Sequence, residues 1–370
     1  MTDADIWRQV PFHFWTVVSF VFGCLAGSFL NVCIHRLPRG ESIVRPRSHC
    51  PHCGYSIPWY LNIPLLTWLW LGGRCANCKA PISPRYFLVE LLTAVAFAAC
   101  WIKFGHAYPW LAPVYWLMLG GLIVATFVDF EHFIIPDEIT IGGMVAGFLC
   151  SFLVPSLHMT FPDFKRLASQ GASMAHSVLG ILVGSGVVYC ILRAGKFFFG
   201  RHKMDLPPAT TIFFTETAIR LPDAEIPYEE VFYRPSDAIE FEAKTVELID
   251  RCYSNVVVRL EPERLLIGSD PFNPEEVPYL EAVADQIVLP REAMGLGDVK
   301  FMGAIGAFLG WPSVFYCLAV SSVIGAAVGL TLILSGRRAW SSRLPYGPYI
   351  AVAAVIWIFG GYDWVRRLLY

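Results

Sequence analysis

Charge is scarce in this chain. Only 16% of its 370 residues are Asp, Glu, Lys or Arg, against 55% hydrophobic. The hydrophobic residues gather in long runs, which excludes an ordinary water-soluble globule and indicates an integral membrane protein. The first run, 12–34, lacks the basic start and small-residue cleavage site of a secretory signal, so a retained first helix is expected. No glycine-rich loop follows a strand as in soluble nucleotide-binding folds. No basic surface suggests nucleic acid, and none is expected as a partner. Cysteine is not scarce, at eleven residues, but four of these form two Cys-x-x-Cys pairs. That pattern favours a metal site in a reducing compartment over a disulfide framework.

The small net charge of −2 conceals a division. Residues 204–290 hold 18 acidic and 6 basic residues, a net of −12, and the remainder carries a net of +10. An acidic soluble insert therefore interrupts a basic membrane scaffold. Its runs Thr210–Phe214 and Asn255–Leu260 are β-branched or aromatic and predict a small β-rich domain with a modest core. No acid, base or nucleophile constellation stands out within it.

Further apolar runs at 86–104, 110–130, 139–155, 178–199, 299–335 and 346–359 predict membrane helices, with a turn at Gly310-Trp311-Pro312. From Arg36 to Arg85 there are seven Lys or Arg and one acid, Glu41. The bias of basic loops toward the cytoplasm places this loop inside. Arg337, Arg338 and Arg343 agree with that orientation, while Arg366 and Arg367 at the far end oppose it. The expected fold is an all-α polytopic membrane protein of about eight transmembrane helices, with a cytoplasmic zinc-binding loop and a small β-rich soluble insert.

The basic loop carries Cys50-Pro51-His52-Cys53 and Cys75-Ala76-Asn77-Cys78. Each pair can turn two thiolates toward one ion, and Cys50, Cys53, Cys75 and Cys78 together complete a tetrahedron around structural zinc. His49 and His52 are expected to be bystanders, and the remaining cysteines packing residues.

Two acids stand at the mouths of apolar runs, Asp129 ending the run 111–130 and Asp298 within Gly295-Leu296-Gly297-Asp298-Val299-Lys300. Two carboxylates at one membrane boundary are the minimum equipment of an aspartic protease, one taking a proton from water while the other protonates the departing amine. A hydrated or ion-paired role, with Lys300 or nearby arginines, is the alternative for both. Asp137, after Pro136, reads as the N-cap of the next helix.

Taken in order, Gly27-Ser28-Phe29-Leu30-Asn31-Val32, Arg36-Leu37-Pro38, the paired cysteines and Trp59-Tyr60-Leu61-Asn62-Ile63-Pro64 are followed by Gly73-Arg74-Cys75, Pro81–Tyr86, Glu90, Asp129 with Ile135-Pro136-Asp137, and the Gly-Leu-Gly-Asp stretch. So ordered, the chain resembles the bifunctional type IV prepilin peptidase/N-methyltransferases, GxGD-type intramembrane aspartic proteases of pilus and type II secretion systems. The resemblance implies removal of a short basic leader from prepilins and pseudopilins at the cytoplasmic face of a bacterial inner membrane. It also implies N-methylation of the new terminus with S-adenosyl-L-methionine as donor, and a catalytic pair at Asp129 and Asp298. Gly73, Arg74 and Glu90 become candidates for the methyl-donor site. Implied domains are 1–104, associated with methyl transfer; 105–203, with Asp129; 204–290, the insert, where the family usually has a short connection; and 291–370, with Asp298.

A peptidase without methyl transfer is one alternative. A transporter using the two carboxylates is another, though transport predicts acids or helix breaks near mid-span. A zinc-stabilised adaptor leaves the Gly-Leu-Gly-Asp stretch unexplained.

Overall fold

The computed structural model describes every residue except 1–10, 159–169, 200, 216, 223, 229–230, 233–236, 278, 291–294, 336–343 and 362–370. Arg337, Arg338, Arg343, Arg366 and Arg367 thus lie outside the described residues. Two units are resolved, Met1–Tyr189 with Gly295–Tyr370, and Cys190–Met294.

In the first unit the helices are α1 (Phe12–Arg36), the short α2 (Leu66–Trp70), α3 (Pro84–Phe104), α4 (Leu111–His132), α5 (Asp137–Leu153) and α6 (Gln170–Phe199), which runs on into the second unit. After the insert come α7 (Leu296–Leu309), α8 (Trp311–Leu334) and α9 (Gly347–Ile356), continued by a π turn at Trp357–Gly361. Those starting at Phe12, Pro84, Leu111, Gln170 and Trp311 are long and apolar enough to cross a bilayer, so among the described residues there are five candidate spans. The other three expected crossings are shorter helices: α5 has 17 residues, α7 has 14 and α9 has 10. Helix α6 begins at Gln170, before the predicted 178, and the break between α7 and α8 falls at Gly310, whose φ of 77° ends the helix.

Glycine lets these helices approach closely. A Cβ at Gly23 or Gly27 of α1 would lie 2.6 Å from Ala94 Cα or 2.7 Å from Glu90 Cα of α3. One at Gly180 of α6 would lie 2.0 Å from the Gly306 carbonyl oxygen of α7, and Gly184 meets Met302 and Gly303 in the same seam. Small residues four apart produce such seams because, in lipid, packing and not water exclusion drives helix association.

Within the second unit an eight-stranded antiparallel sheet runs in the order β3-β2-β1-β8-β4-β5-β6-β7. Its strands are β1 (Arg201–Phe214), β2 (Ala218–Leu221), β3 (Ala224–Pro227), β4 (Ile239–Glu247), β5 (Cys252–Glu261), β6 (Arg264–Ile267), β7 (Asp270–Phe272) and β8 (Leu280–Pro290). Alternation along β4 buries Ile239, Phe241 and Ala243 and exposes Glu242 and Lys244, so one face carries a core and the other the charge. Phe214 stacks on Phe241 at 5.5 Å within that core. First and last strands pair, with Arg201 opposite Pro290, so the chain enters and leaves the sheet at adjacent points.

Candidate active site

Asp298 is the third residue of α7. Its carboxylate reaches back to accept the Gly295 N–H at 3.2 Å, the side-chain half of a capping box. Asp129 lies in the last turn of α4, where the helix's own dipole disfavours an acid. What holds it is another helix start: Asp129 Oδ2 accepts the N–H of Gly347, the first residue of α9, at 2.9 Å. Each carboxylate therefore sits at a helix N-terminus, where unpaired N–H groups attract anions. Both are buried, at 6% and 9% exposure.

The two acids share a neighbourhood. Ile135, buried in the turn after α4, lies 3.4 Å from where a Cβ on Gly297 would be and 3.1 Å from one on Gly347, which would also meet Asp129 Oδ2 at 2.8 Å. Ile135 is thus wedged between the two glycines that precede or support the acids, and Asp298 lies within electrostatic reach of Asp129. Phe133 at φ 54° turns the chain out of α4 to deliver that wedge.

Lys300 pairs with neither acid. Its ammonium donates to Asp137 Oδ1 at 2.6 Å, because two residues along a helix from Asp298 it points away from that carboxylate. Asp137 is accordingly not the N-cap expected of it: Pro136 holds that position, and Asp137 is the first helical residue. On the neighbouring surface Arg85, at the start of α3, pairs with Glu131 at the end of α4. The Asp129 end of α4 and the cysteine loop, which joins α1 to α3, therefore lie at the same end of the helices.

In that loop the thiol sulfurs of Cys50, Cys53, Cys75 and Cys78 all lie within 4.8 Å of one another, with Cys50 and Cys78 at 3.8 Å. Zinc–sulfur bonds of about 2.3 Å imply tetrahedral edges of about 3.8 Å, so this donor set fits zinc. The two turns are near copies. Gly54 N–H donates to Cys50 O and Lys79 N–H to Cys75 O, and Gly54 and Lys79 share a positive φ. Backbone N–H groups of Cys78 and Asn77 hold the Cys75 thiol down to about 6. His49 is exposed, its Nδ1 3.0 Å from the Arg47 carbonyl, and His52 is exposed too.

Gly73, Arg74 and Glu90 border the short helix α2. Glu90 accepts the N–H of Leu65, just before α2, at 2.7 Å. Gly73, at φ 66°, packs where a Cβ would strike the Trp68 ring at 2.9 Å, and Arg74 is exposed. Two buried polar residues lie in motifs quoted from the sequence but were assigned no role there. Asn31 Nδ2 donates to Tyr86 O at 3.0 Å while its Oδ1 has no partner among the described residues, and Arg36 donates to Ser42 O and Pro46 O, each at 2.8 Å. The signal available was a polar residue inside or ending an apolar run, which needs a bonding partner.

These features define a multi-pass membrane protein with a buried carboxylate pair and a four-cysteine cluster that could hold a metal. Two family models match it, the Bacterial Peptidase A24 N-terminal domain at residues 21–104 and the Type IV leader peptidase family at 277–330. A type 4 prepilin-like proteins leader peptide-processing enzyme of Escherichia coli O78:H11 is 37% identical over 208 residues, half of this chain and 70% of that protein. The chain belongs to the type IV leader peptidase family. A prepilin leader peptidase/N-methyltransferase of Myxococcus xanthus is 52% identical over 137 residues, 37% of this chain and 40% of that protein. One of Aeromonas hydrophila is 27% identical over a 384-residue alignment that covers 95% of this chain and 94% of that protein. No solved structure matches.

Proposed function

We propose that this protein removes the leader peptide of type IV prepilin-like proteins, pilins and pseudopilins, and N-methylates the residue exposed. The observation that carries the reading is the pair Asp129 and Asp298, two buried carboxylates on helix N-termini around one wedge residue, Ile135. One carboxylate takes a proton from water as the water oxygen bonds to the scissile carbonyl carbon. The other gives a proton to the amide nitrogen as the C–N bond breaks. Domain roles follow: residues 1–104 with methyl transfer, 105–203 and 291–370 with cleavage, and 204–290 as an accessory insert.

Zinc would be held by Cys50, Cys53, Cys75 and Cys78 and act structurally, since four thiolates leave no open coordination position. S-adenosyl-L-methionine, when bound, supplies an electrophilic methyl group. Glu90 would accept from its ammonium group, the exposed Arg74 would donate to its carboxylate, and Gly73 would shape the adjoining turn.

Counting α5, α7 and α9 with the five long helices gives eight crossings. That count puts the cysteine loop and both aspartates on the cytoplasmic side of a bacterial inner membrane, by the basic bias of the loop. Purified protein in detergent, given a prepilin and labelled S-adenosylmethionine, should shorten the substrate and label it. Labelling without shortening, or neither, would overturn the reading.

A further inference from the structure

The cysteine loop exposes an apolar surface that neither metal binding nor the carboxylate pair uses. In residues 59–70, Trp59 is 82% exposed, Trp70 80% and Leu66 65%, and Tyr60, Ile63 and Leu69 are exposed with them. These residues form one contiguous stretch between the two cysteine turns. The stretch is not loose. Trp68 turns the other way, its ring 5.2 Å from Phe87 of α3, and Glu90 fixes Leu65 through its backbone N–H.

Those two ties set its level. Glu90 is six residues into α3 from Pro84, about 9 Å along the axis at 1.5 Å per residue. The α2 segment therefore lies beside the first turns of a membrane-spanning helix and not above its end. On α3 itself, Leu88 and Leu92 are also exposed at this level, as expected of a lipid-facing surface. On either side of the stretch in sequence, within the same loop, are the exposed cations Arg39, Arg45, Arg47, Arg74 and Lys79.

We propose that residues 59–70 are a membrane-interface anchor, seating the cysteine loop on the bilayer with Trp59, Tyr60, Leu66, Leu69 and Trp70 at the headgroup–acyl boundary and the cations against anionic headgroups. Tryptophan and tyrosine favour that boundary because their rings are apolar and their N–H or O–H needs water or headgroup partners. A short apolar helix flanked by Arg and Lys gains both acyl burial and electrostatic attraction there. Protein partners are less well matched. A basic peptide would meet a loop whose single acid between Arg36 and Arg85 is Glu41. The anchor holds the four cysteines at the membrane surface, whichever reaction the protein performs.

The test uses the full chain in vesicles of phosphatidylethanolamine and phosphatidylglycerol. A photo-crosslinking residue is introduced as Trp59→p-benzoylphenylalanine or Trp70→p-benzoylphenylalanine. Phe22, exposed in mid-α1, serves as the lipid-facing reference and Glu242, exposed on β4, as the water-facing one. After irradiation, lipid adducts at 59 and 70 should approach the Phe22 level and exceed the Glu242 level several-fold. Adducts at the Glu242 level, or crosslinks to a second copy or to added prepilin in place of lipid, would overturn the proposal. Both sites are exposed, so the replacements disturb no core.

Discussion

Gly347→Ala is the sharpest perturbation of the carboxylate pair. Judged by helix propensity alone, replacing a glycine inside a helix by alanine should stabilise by about 0.5–1 kcal/mol. The structure predicts the opposite sign. The new methyl would lie 2.8 Å from Asp129 Oδ2 and 3.1 Å from Ile135 Cδ1. Ordinary contact requires the carboxylate to retreat by about half an ångström, which stretches its 2.9 Å bond from the Gly347 N–H to about 3.4 Å, beyond useful hydrogen-bond range. A charge-assisted bond of about 1.5–3 kcal/mol is then lost, with an overpacking cost of about 1–3 kcal/mol. A 1 Å misplacement of a reacting group costs about a hundredfold in rate, so half an ångström should cost about tenfold. The assay is single-turnover cleavage of a prepilin, with thermal unfolding measured in the same detergent. Gly142→Ala, whose Cβ meets nothing within 4 Å, is the control and should behave as wild type. A Gly347→Ala protein that cleaves at the wild-type rate and melts no lower would refute the placement of Asp129 against α9.

Metal analysis of protein prepared without chelator should give about one zinc per chain, lost in Cys50→Ser or Cys75→Ser; full occupancy in either variant would contradict the four-thiolate site. Replacing residues 201–290 by a short flexible linker should retain cleavage, because Arg201 and Pro290 are paired neighbours and the excised ends are close enough to join. Complete loss of cleavage in a folded deletion would make the insert part of the machinery. Glu90→Ala removes the acceptor for Leu65 N–H at a cost of about 1–3 kcal/mol, and should depress methyl incorporation while leaving leader removal near wild type. Equal loss of both activities would deny Glu90 a role confined to methyl transfer.

Sequence reveals what the bilayer itself dictates. A span needs about 20 apolar residues, so runs such as 12–34 and 110–130 are visible without a structure, and Cys-x-x-Cys spacing is visible because one ion imposes it. What was not legible depends on neighbours distant in the chain. Asp129 and Gly347 are 218 residues apart, and no local pattern announces that one helix start supports the acid at another helix's end. Asp137 was misread for a related reason. Asp is a strong N-cap by local preference, but Pro136 holds that position and Lys300, from a distant helix, supplies the carboxylate's partner. The Gly180–Gly306 seam was equally hidden, since glycines in apolar runs acquire meaning only when the facing helix is known.

Helix starts bear on what the two acids must do. The first N–H groups of a helix have no partner within it and must be satisfied from elsewhere. Asp298 does this for Gly295, as Asp129 does for Gly347, so each acid combines a capping bond with its proposed proton transfer. The two roles separate by substitution. Asn retains an oxygen acceptor for the backbone N–H but cannot shuttle a proton, whereas Ala loses both. Asp129→Asn and Asp298→Asn should therefore fold with near-native melting yet lose cleavage, and the double variant should be little worse than either alone, because the pair acts as a unit. The Ala variants should lose cleavage and also about 1–3 kcal/mol of stability for the N–H left unpaired. Asp137→Asn removes only an exposed ion pair with Lys300 and should change stability by under about 1 kcal/mol, with cleavage intact. Active Asn variants at 129 and 298, or a dead one at 137, would leave the buried carboxylates as caps alone.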